Sequence, residues 1–506
     1  MSPICLYHSH MRLLSALFLV LLVVSMPMPV RAAVELPDLG DPSRVAFSEE
    51  AEARLGQEIM RQIRGSRDYY DDAVLKDYLN RLGEQLVAAS DEPGRRFEFF
   101  VVRDPSINAF ALPGGYIGVH TGLLSAARSE AELAGVLAHE IAHVTQHHLA
   151  RLVKGSEGLT VAALAGIAVA ILAARSNPQL ADAALRTSQA YGLQQQIDFT
   201  RAHEHEADRV GYQILEGAGF DPTGMASFFE RLMAQGRLYD NSAPVYLRTH
   251  PLSHDRMADM QNRIAQRPYR QARENSESAA FELLRAQIQA HEGGVAEAVK
   301  RFRTRVNERP QDPAARYGLI EVLLRDNDAH SALAQVEPLR KLLTAPLVEM
   351  QAGRVIRAAK GPQAALPGLQ TALARWPGER ALGYSLVRTY LAAGQARLAH
   401  ALVVERQRTW PEDILLWRLL AETELALGHP LESHLAEAEA YAREGLLQAA
   451  IDQLQTALRE ARHAGKAGTS DDFYALSMAE SRLNTLHEAL QRQNADRREH
   501  RKNGSL

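Results

Sequence analysis

Apolar residues return at helical intervals in the first third of the chain: Leu133, Val136, Leu137, Ile141 and Val144 form one stripe. Just before them stands Ser129-Glu130-Ala131-Glu132, a Ser-x-x-Glu capping box, so a helix is predicted to start near Glu130. A second helical segment carries Val210 and Ile214 at i, i+4 and ends at Gly217 and Gly219, ahead of Asp221-Pro222.

Beyond residue 275 the pattern repeats on a longer scale. Gly294, Asn327, Gly361, Gly394 and Gly428 stand 33, 34, 33 and 34 residues apart, each between two apolar-periodic segments, and Trp376-Pro377 recurs as Trp410-Pro411. A period near 34 built on helix–turn–helix units is the tetratricopeptide signature. Gly and Asn suit its interhelix turn, which calls for positive φ. Leu386, Tyr390, Gly394, Ala399 and Pro411 make one good unit. The next has Trp417, Leu420, Ala421 and Gly428, but Glu424 where an aromatic is usual, and the units around Asn327 and Gly361 are degenerate. Such arrays curve into concave surfaces that hold peptides or partner domains. The chain closes in a polar run, "RQNADRREHRKNGSL", expected to fray.

The start of the chain reads differently. Arg12 precedes the apolar run Leu13 to Val24, and small residues surround Ala32 and Ala33. This is the layout of a secretory signal peptide cleaved after residue 32 or 33, and the run is too short for a membrane span of about 20 residues. The single cysteine, Cys5, lies inside it, so the mature chain would have no thiol and no disulfide. Losing residues 1–32 removes two arginines and no acid, which moves the formal charge from −4 to −6 and argues against a nucleic-acid partner. Leu159 to Ala174, "LTVAALAGIAVAILAA", is sixteen residues long and is expected to be a buried or site-covering helix, with membrane-surface contact as the alternative.

Candidate chemistry is concentrated in "AHEIAHVTQHH", residues 138–148. On the predicted helix His139 and His143 are i and i+4, one above the other, a spacing that can close on one tetrahedral Zn²⁺. Glu140 stands beside them, able to reach an activated water. A catalytic zinc needs a third protein ligand, and "RAHEHEADRVG", residues 201–211, can supply one. Glu204, Asp208 and Gly211 share a face there, while Glu206 points roughly the other way. Asp208 is placed to accept the N–H of a ligating histidine. Geometry leaves His203, His205 and Glu206 open as ligands, although a solvated helix face is the expectation for all three.

His-Glu-x-x-His followed some sixty residues later by Glu-x-x-x-Asp resembles the zinc metallopeptidases of the CaaX prenyl-protease and HtpX-like family. The resemblance spans roughly residues 45–270. It implies Glu204 as the third ligand, beside His139 and His143, and Glu140 as the general base of peptide hydrolysis. It also implies that Asn108 to Val119, with Asn108, Gly114, Gly115 and Tyr116, is the strand and turn where an extended substrate pairs with a sheet edge. His250-Pro251, followed by Arg256, is similar to the family segment that approaches the metal and the scissile carbonyl. His250 or Arg256 would then stabilise the oxyanion, or His250 would take the open coordination position and restrain the enzyme.

The implied fold is mainly α: a zincin-like helical metallopeptidase domain with a small β-sheet, then an α-solenoid of tetratricopeptide repeats. The expected division is a leader at 1–32, a peptidase domain at 33–275, repeats at 276–460 and a helical, partly disordered tail at 461–506. This order is similar to that of the periplasmic β-barrel assembly-enhancing proteases of Gram-negative bacteria. That similarity implies one zinc per chain, protein substrates, degradation of misassembled outer-membrane β-barrel proteins, and work beside their assembly machinery. The rival from another class is a repeat-based chaperone or scaffold whose zinc site is locked or vestigial.

Overall fold

The computed structural model describes residues 48–155, 193–238, 244–266, 276–463 and 470–503. The expected leader and the Leu159–Ala174 run lie outside the described residues. No helix among the described residues is long and apolar enough to cross a membrane.

Two capped helices begin the described chain. In α1 (Glu49–Arg64) the Ser48 hydroxyl accepts from the Ala51 amide, and in α2 (Ala73–Val87) the Asp72 carboxylate accepts from Val74 and Leu75. Three short strands follow: β1 (Glu98–Val102), β2 (Ala109–Leu112) and β3 (Tyr116–His120). Their order is β1-β3-β2, with β1 parallel and β2 antiparallel to β3, so β3 is central and β2 is one of the two edge strands. Gly114 and Gly115 make the turn between β2 and β3 at φ 79° and 80°. A Cβ on Gly115 would stand 2.3 Å from the Arg96 carbonyl oxygen.

After α3 (Thr121–Ala126) comes α4 (Glu130–Thr145), which starts where the capping box predicts: the Ser129 hydroxyl accepts from the Glu132 amide at 3.2 Å. The Glu132 carboxylate reaches back to the Arg128 amide at 2.6 Å, one residue earlier than in the standard box. Leu133, Val136, Leu137 and Ile141 are fully buried, each stabilising the fold by about 1.5–3 kcal/mol. Around α4 pack β2, α6 (Leu193–Gly217) and α7 (Thr223–Leu238). Gly211 of α6 lies against the backbone of His139, where an added Cβ would meet the amide nitrogen at 3.0 Å, so close helix approach is what this position permits. The remaining helices here are α5 (His148–Gly155), α8 (Val245–Thr249) and α9 (His254–Gln266).

The rest is a stack of helix pairs: α10 (Ser276–Ala290) with α11 (Val295–Glu308), α12 (Pro313–Arg325) with α13 (Ala329–Leu342), and α14 (Pro346–Lys360) with α15 (Pro362–Arg375). Then come α16 (Arg380–Ala392) with α17 (Ala396–Thr409), α18 (Ile414–Leu427) with α19 (Pro430–Arg443), and α20 (Leu447–His463) with α21 (Ser470–Asn503). The positive-φ residues between the two helices of a pair are Gly293, Asn327, Gly361, Gly394 and Gly428, and Gly445 is another, between α19 and α20. The first differs from the sequence reading: Gly293 has φ 72°, whereas Gly294 is the N-cap of α11 at φ −70°. The degenerate unit at Asn327 turns at φ 60°, while Gly361 alone joins its two helices at φ 90°, ψ 165°, a backbone region open only to glycine and unlike the left-handed turn of Gly428 at φ 83°, ψ 24°. The charged stretch after Arg492 continues as helix to Asn503.

Helix α10 serves both halves. Phe281, Leu284 and Ile288 enter the core that contains α4, while Leu283, Ala286 and Ala290 enter the first core of the repeats. The Gln287 amide donates to Asp72 at 2.9 Å, and Arg285 donates to the Ala127 and Arg128 carbonyls at 2.9 Å each. Further along, Arg380 of the array pairs with Asp77 of α2.

Candidate metal centre

Helix α4 offers two imidazoles and helix α6 a carboxylate. His139 Nε2 and His143 Nε2 face each other at 3.0 Å, and the Glu204 oxygens lie 3.3 Å from the first and 3.5 Å from the second. Donors about 2.0–2.1 Å from a tetrahedral zinc would be roughly 3.3 Å apart, so the two imidazoles and the carboxylate are spaced to close on one small divalent cation. His250, just after α8, belongs to the same cluster: one ligand atom from each of His139, His143, Glu204 and His250 lies within 4.8 Å of the others. A set of two or three imidazoles and a carboxylate is zinc-type chemistry.

Glu204 and His143 are held in the form a cation needs, while, against the lowering effect of burial, Asp208 and Glu204 raise His139 to about 9, so a cation bound there would displace its proton. Burial works to raise the Glu204 carboxyl, but His250 and His139 hold it far below the ordinary carboxylate range. Burial, with His139 adding to it, drives His143 well below the usual histidine value, which leaves a neutral ring with a free lone pair. His139 Nδ1 lies 3.1 Å from Asp208 Oδ1 but out of line for a hydrogen bond, so a small turn of the ring would let Asp208 fix its tautomer.

Arg256 is not where the resemblance led us to expect it. Its guanidinium is 2 % exposed and donates to both Asp208 oxygens, at 2.6 and 2.7 Å, and to the Pro251 carbonyl, with Glu204 Oε2 at 2.9 Å. Those contacts occupy it behind the carboxylates, away from the cleft, so it positions Glu204 and Asp208 and is not free to meet an oxyanion. His250, in contrast, faces the cleft, with Nδ1 2.9 Å from Glu204 and Nε2 3.5 Å from Glu140. Glu140 is 1 % exposed, and its Oε1 has no hydrogen-bond partner among the described residues.

A cavity of about 260 Å³ opens over these groups. Glu140, His143, Glu204 and His250 line it on one side, and Phe110, Ala111 and Leu112 of the edge strand on the other. The expected substrate-edge residues therefore separate. Asn108 is buried at the start of that strand, Gly114 and Gly115 make the turn beyond it, and Tyr116 begins the central strand, packed against the Ile59 and Met60 cluster. The edge facing the cavity is Phe110–Leu112. Strand order, which decides this, is not written in the local pattern.

Sequence reasoning missed an outer layer. Arg95 donates to both Glu52 oxygens at 3.1 Å and to Glu92 at 2.9 Å, and His147 Nε2 lies 3.2 Å from Glu92. Against the effect of burial, His147 and Arg95 lower the Glu92 carboxyl to about 2. Glu52 also accepts from the Gly114 amide at 3.1 Å, which ties α1 to the turn after the edge strand. Tyr246 is wholly buried and stacks on His250 at 4.6 Å. His203, expected on a solvated face, is buried and stacks on His148, and Glu206 pairs with His148 and Arg151. Only the unassigned histidines at 147 and 148 hinted at this layer.

Residues 74–264 match the profile of Peptidase family M48. The chain is 32 % identical over 441 residues to the beta-barrel assembly-enhancing protease of Escherichia coli (strain K12), a match that covers 84 % of this chain and 87 % of that one. It is 38 % identical over 262 residues to a putative beta-barrel assembly-enhancing protease of Vibrio cholerae, covering 52 % of this chain and 53 % of the relative, about half of its length. Over 215 residues it is 32 % identical to a mitochondrial metalloendopeptidase of Arabidopsis thaliana, covering 42 % and 41 % of the two chains.

Proposed function

Since the chain belongs to the family of the beta-barrel assembly-enhancing proteases, metalloendopeptidases of peptidase family M48, we propose that it is a periplasmic zinc endopeptidase acting on misassembled outer-membrane β-barrel proteins, with a chaperone-like part in their assembly. Its proposed division is a cleaved leader to residue 32, a peptidase domain to 275, repeats to 460 and a tail beyond, with α10 shared between the peptidase and the repeats.

The observation that carries the reading is the convergence of His139, His143 and Glu204 beside Glu140, on a cavity whose other wall is a sheet edge. A zinc ion held there would supply Lewis acidity to a scissile carbonyl and to the attacking water. Glu140 takes the water's proton and delivers it to the leaving amine. Phe110–Leu112 offers an edge for an extended segment, which suits unfolded or stalled chains better than folded ones. The test is a stalled outer-membrane barrel protein followed in cells that carry either the intact chain or Glu140→Gln. The intact chain should shorten its half-life, and the variant should retain it uncleaved. Equal half-lives in the presence and absence of the intact chain would contradict the proposal.

His250 has a second part in this reading. It sits within the ligand cluster, so it can act as a fourth donor that closes the site at rest and must swing out for turnover. His250→Ala is expected to keep zinc and to cleave unstructured protein faster. Zinc retained with proteolysis abolished would instead assign His250 to transition-state stabilisation.

A further inference from the structure

His148 is a buried imidazole beside the centre. The backbone takes a left-handed step at His147, φ 51°, between the end of α4 and the start of α5. This step turns His148 back toward the helix it has just left. Its Nδ1 stands 2.9 Å from His143 Nδ1, with the two rings nearly perpendicular at 79°. Its Nε2 lies 3.2 Å from Glu206 Oε2, which also accepts from Arg151 at 2.8 Å. His203 covers one face of the ring, 4.2 Å away and within 8° of parallel. His148 itself is 5 % exposed.

Hydrogen counting settles the direction of this chain of contacts. Two ring nitrogens 2.9 Å apart need one hydrogen between them. If His143 gives its Nε2 lone pair to the cation, its hydrogen is on Nδ1 and donates to His148 Nδ1. His148 then carries its own hydrogen on Nε2 and donates to Glu206. The first ligand, His139, stands beside its carboxylate, Asp208, at 3.1 Å; among the described residues the second has a second imidazole, and not a carboxylate, at its outer nitrogen.

We propose that His148 and Glu206 are a positioning pair for the metal centre: they fix the tautomer and ring plane of His143 through an imidazole–carboxylate relay that spans from α5 to α6. The sequence concealed it because Glu206 is 58 residues from His148 and lies off the ligand face of its helix. It does point away from Glu204, and it acts on the site through His148. Arg151 holds the far end in register, and the His203 ring keeps the His148 plane upright.

This inference rests on the metal reading above, and the experiment separates the two. In the full chain, zinc affinity is measured by competition with a chelator for the wild type, His148→Phe, His148→Gln and Glu206→Ala, together with kcat and KM on an unstructured protein and the unfolding temperature without metal. Phe keeps a ring against His203 but accepts no hydrogen bond, so its zinc affinity should fall about 10–100-fold, with kcat lowered and KM little changed. Gln offers a carbonyl to His143 and an N–H to Glu206 and should recover most of that loss. Glu206→Ala should fall between the two. Wild-type affinity in His148→Phe, or equal losses in Phe and Gln, would overturn the relay. If Phe does not fold, undiminished affinity in Glu206→Ala does the same. A wild type that binds no zinc would overturn the metal reading itself, and the relay with it.

Discussion

Replacing Glu140 by Gln should reduce peptide hydrolysis by about 10²–10⁴-fold, the range for removal of a general base, while zinc stays bound. The substitution changes little else. Glu140 is 1 % exposed, and glutamine has nearly the same volume. Its Oε1 has no hydrogen-bond partner among the described residues, and its contact with His250 Nε2 is long at 3.5 Å, so the change to an amide disturbs little at that oxygen. What disappears is the ability to take a proton. The site's donors are His139, His143, Glu204 and His250, so zinc content should be unaffected. Cleavage of an unfolded protein and metal content, measured on the same preparation, check both halves. Undiminished cleavage would remove Glu140 from the mechanism.

The second large effect is loss of a ligand. His139→Ala and His143→Ala should each abolish zinc binding and hydrolysis together, because one α4 imidazole and Glu204, with only the displaceable His250 beside them, hold zinc poorly against water. Glu204→Gln should do the same with less disturbance than Ala, since its side chain still fills the space between His250 and Arg256. Glu204 also faces Arg256, whose guanidinium is 2 % exposed, and removing one member of a buried charged group typically costs about 3–5 kcal/mol. Lower stability is therefore expected in Glu204→Ala beyond the loss of metal. Glu206→Ala should still fill with metal at saturating zinc, though less tightly if the relay holds. Zinc stoichiometry and the unfolding temperature distinguish these cases. A variant series in which Glu206, and not Glu204, is indispensable for metal would reverse the assignment.

The parts of this structure that the sequence revealed are those set by local rules. The capping box placed the start of α4 at Glu130, and i, i+4 spacing placed His139 over His143. The shared face of Glu204, Asp208 and Gly211 follows from the helical repeat, and all three do turn toward α4. The 34-residue period revealed the helix pairs even where the consensus had decayed, because Gly or Asn at each turn allows positive φ whatever the detail of the turn. What stayed hidden depends on partners far apart in the chain. Tyr116 could not be told from an edge residue without the strand order. Arg256 could not be placed behind the ligands without knowing that Asp208 and Glu204 both reach it. Helix α10 could not be divided between two cores from its apolar pattern alone, because its stripes on opposite sides read as one helix buried all round.

The central claim is one zinc held by His139, His143 and Glu204 at the floor of a peptide cleft. Anomalous diffraction at the zinc absorption edge, from crystals of the full chain grown with zinc, tests it most directly. The account predicts one peak per chain, about 2.0–2.2 Å from His139 Nε2, His143 Nε2 and a Glu204 oxygen. A peak held instead by His148, His203 or Glu206, or no peak between α4 and α6, would contradict it.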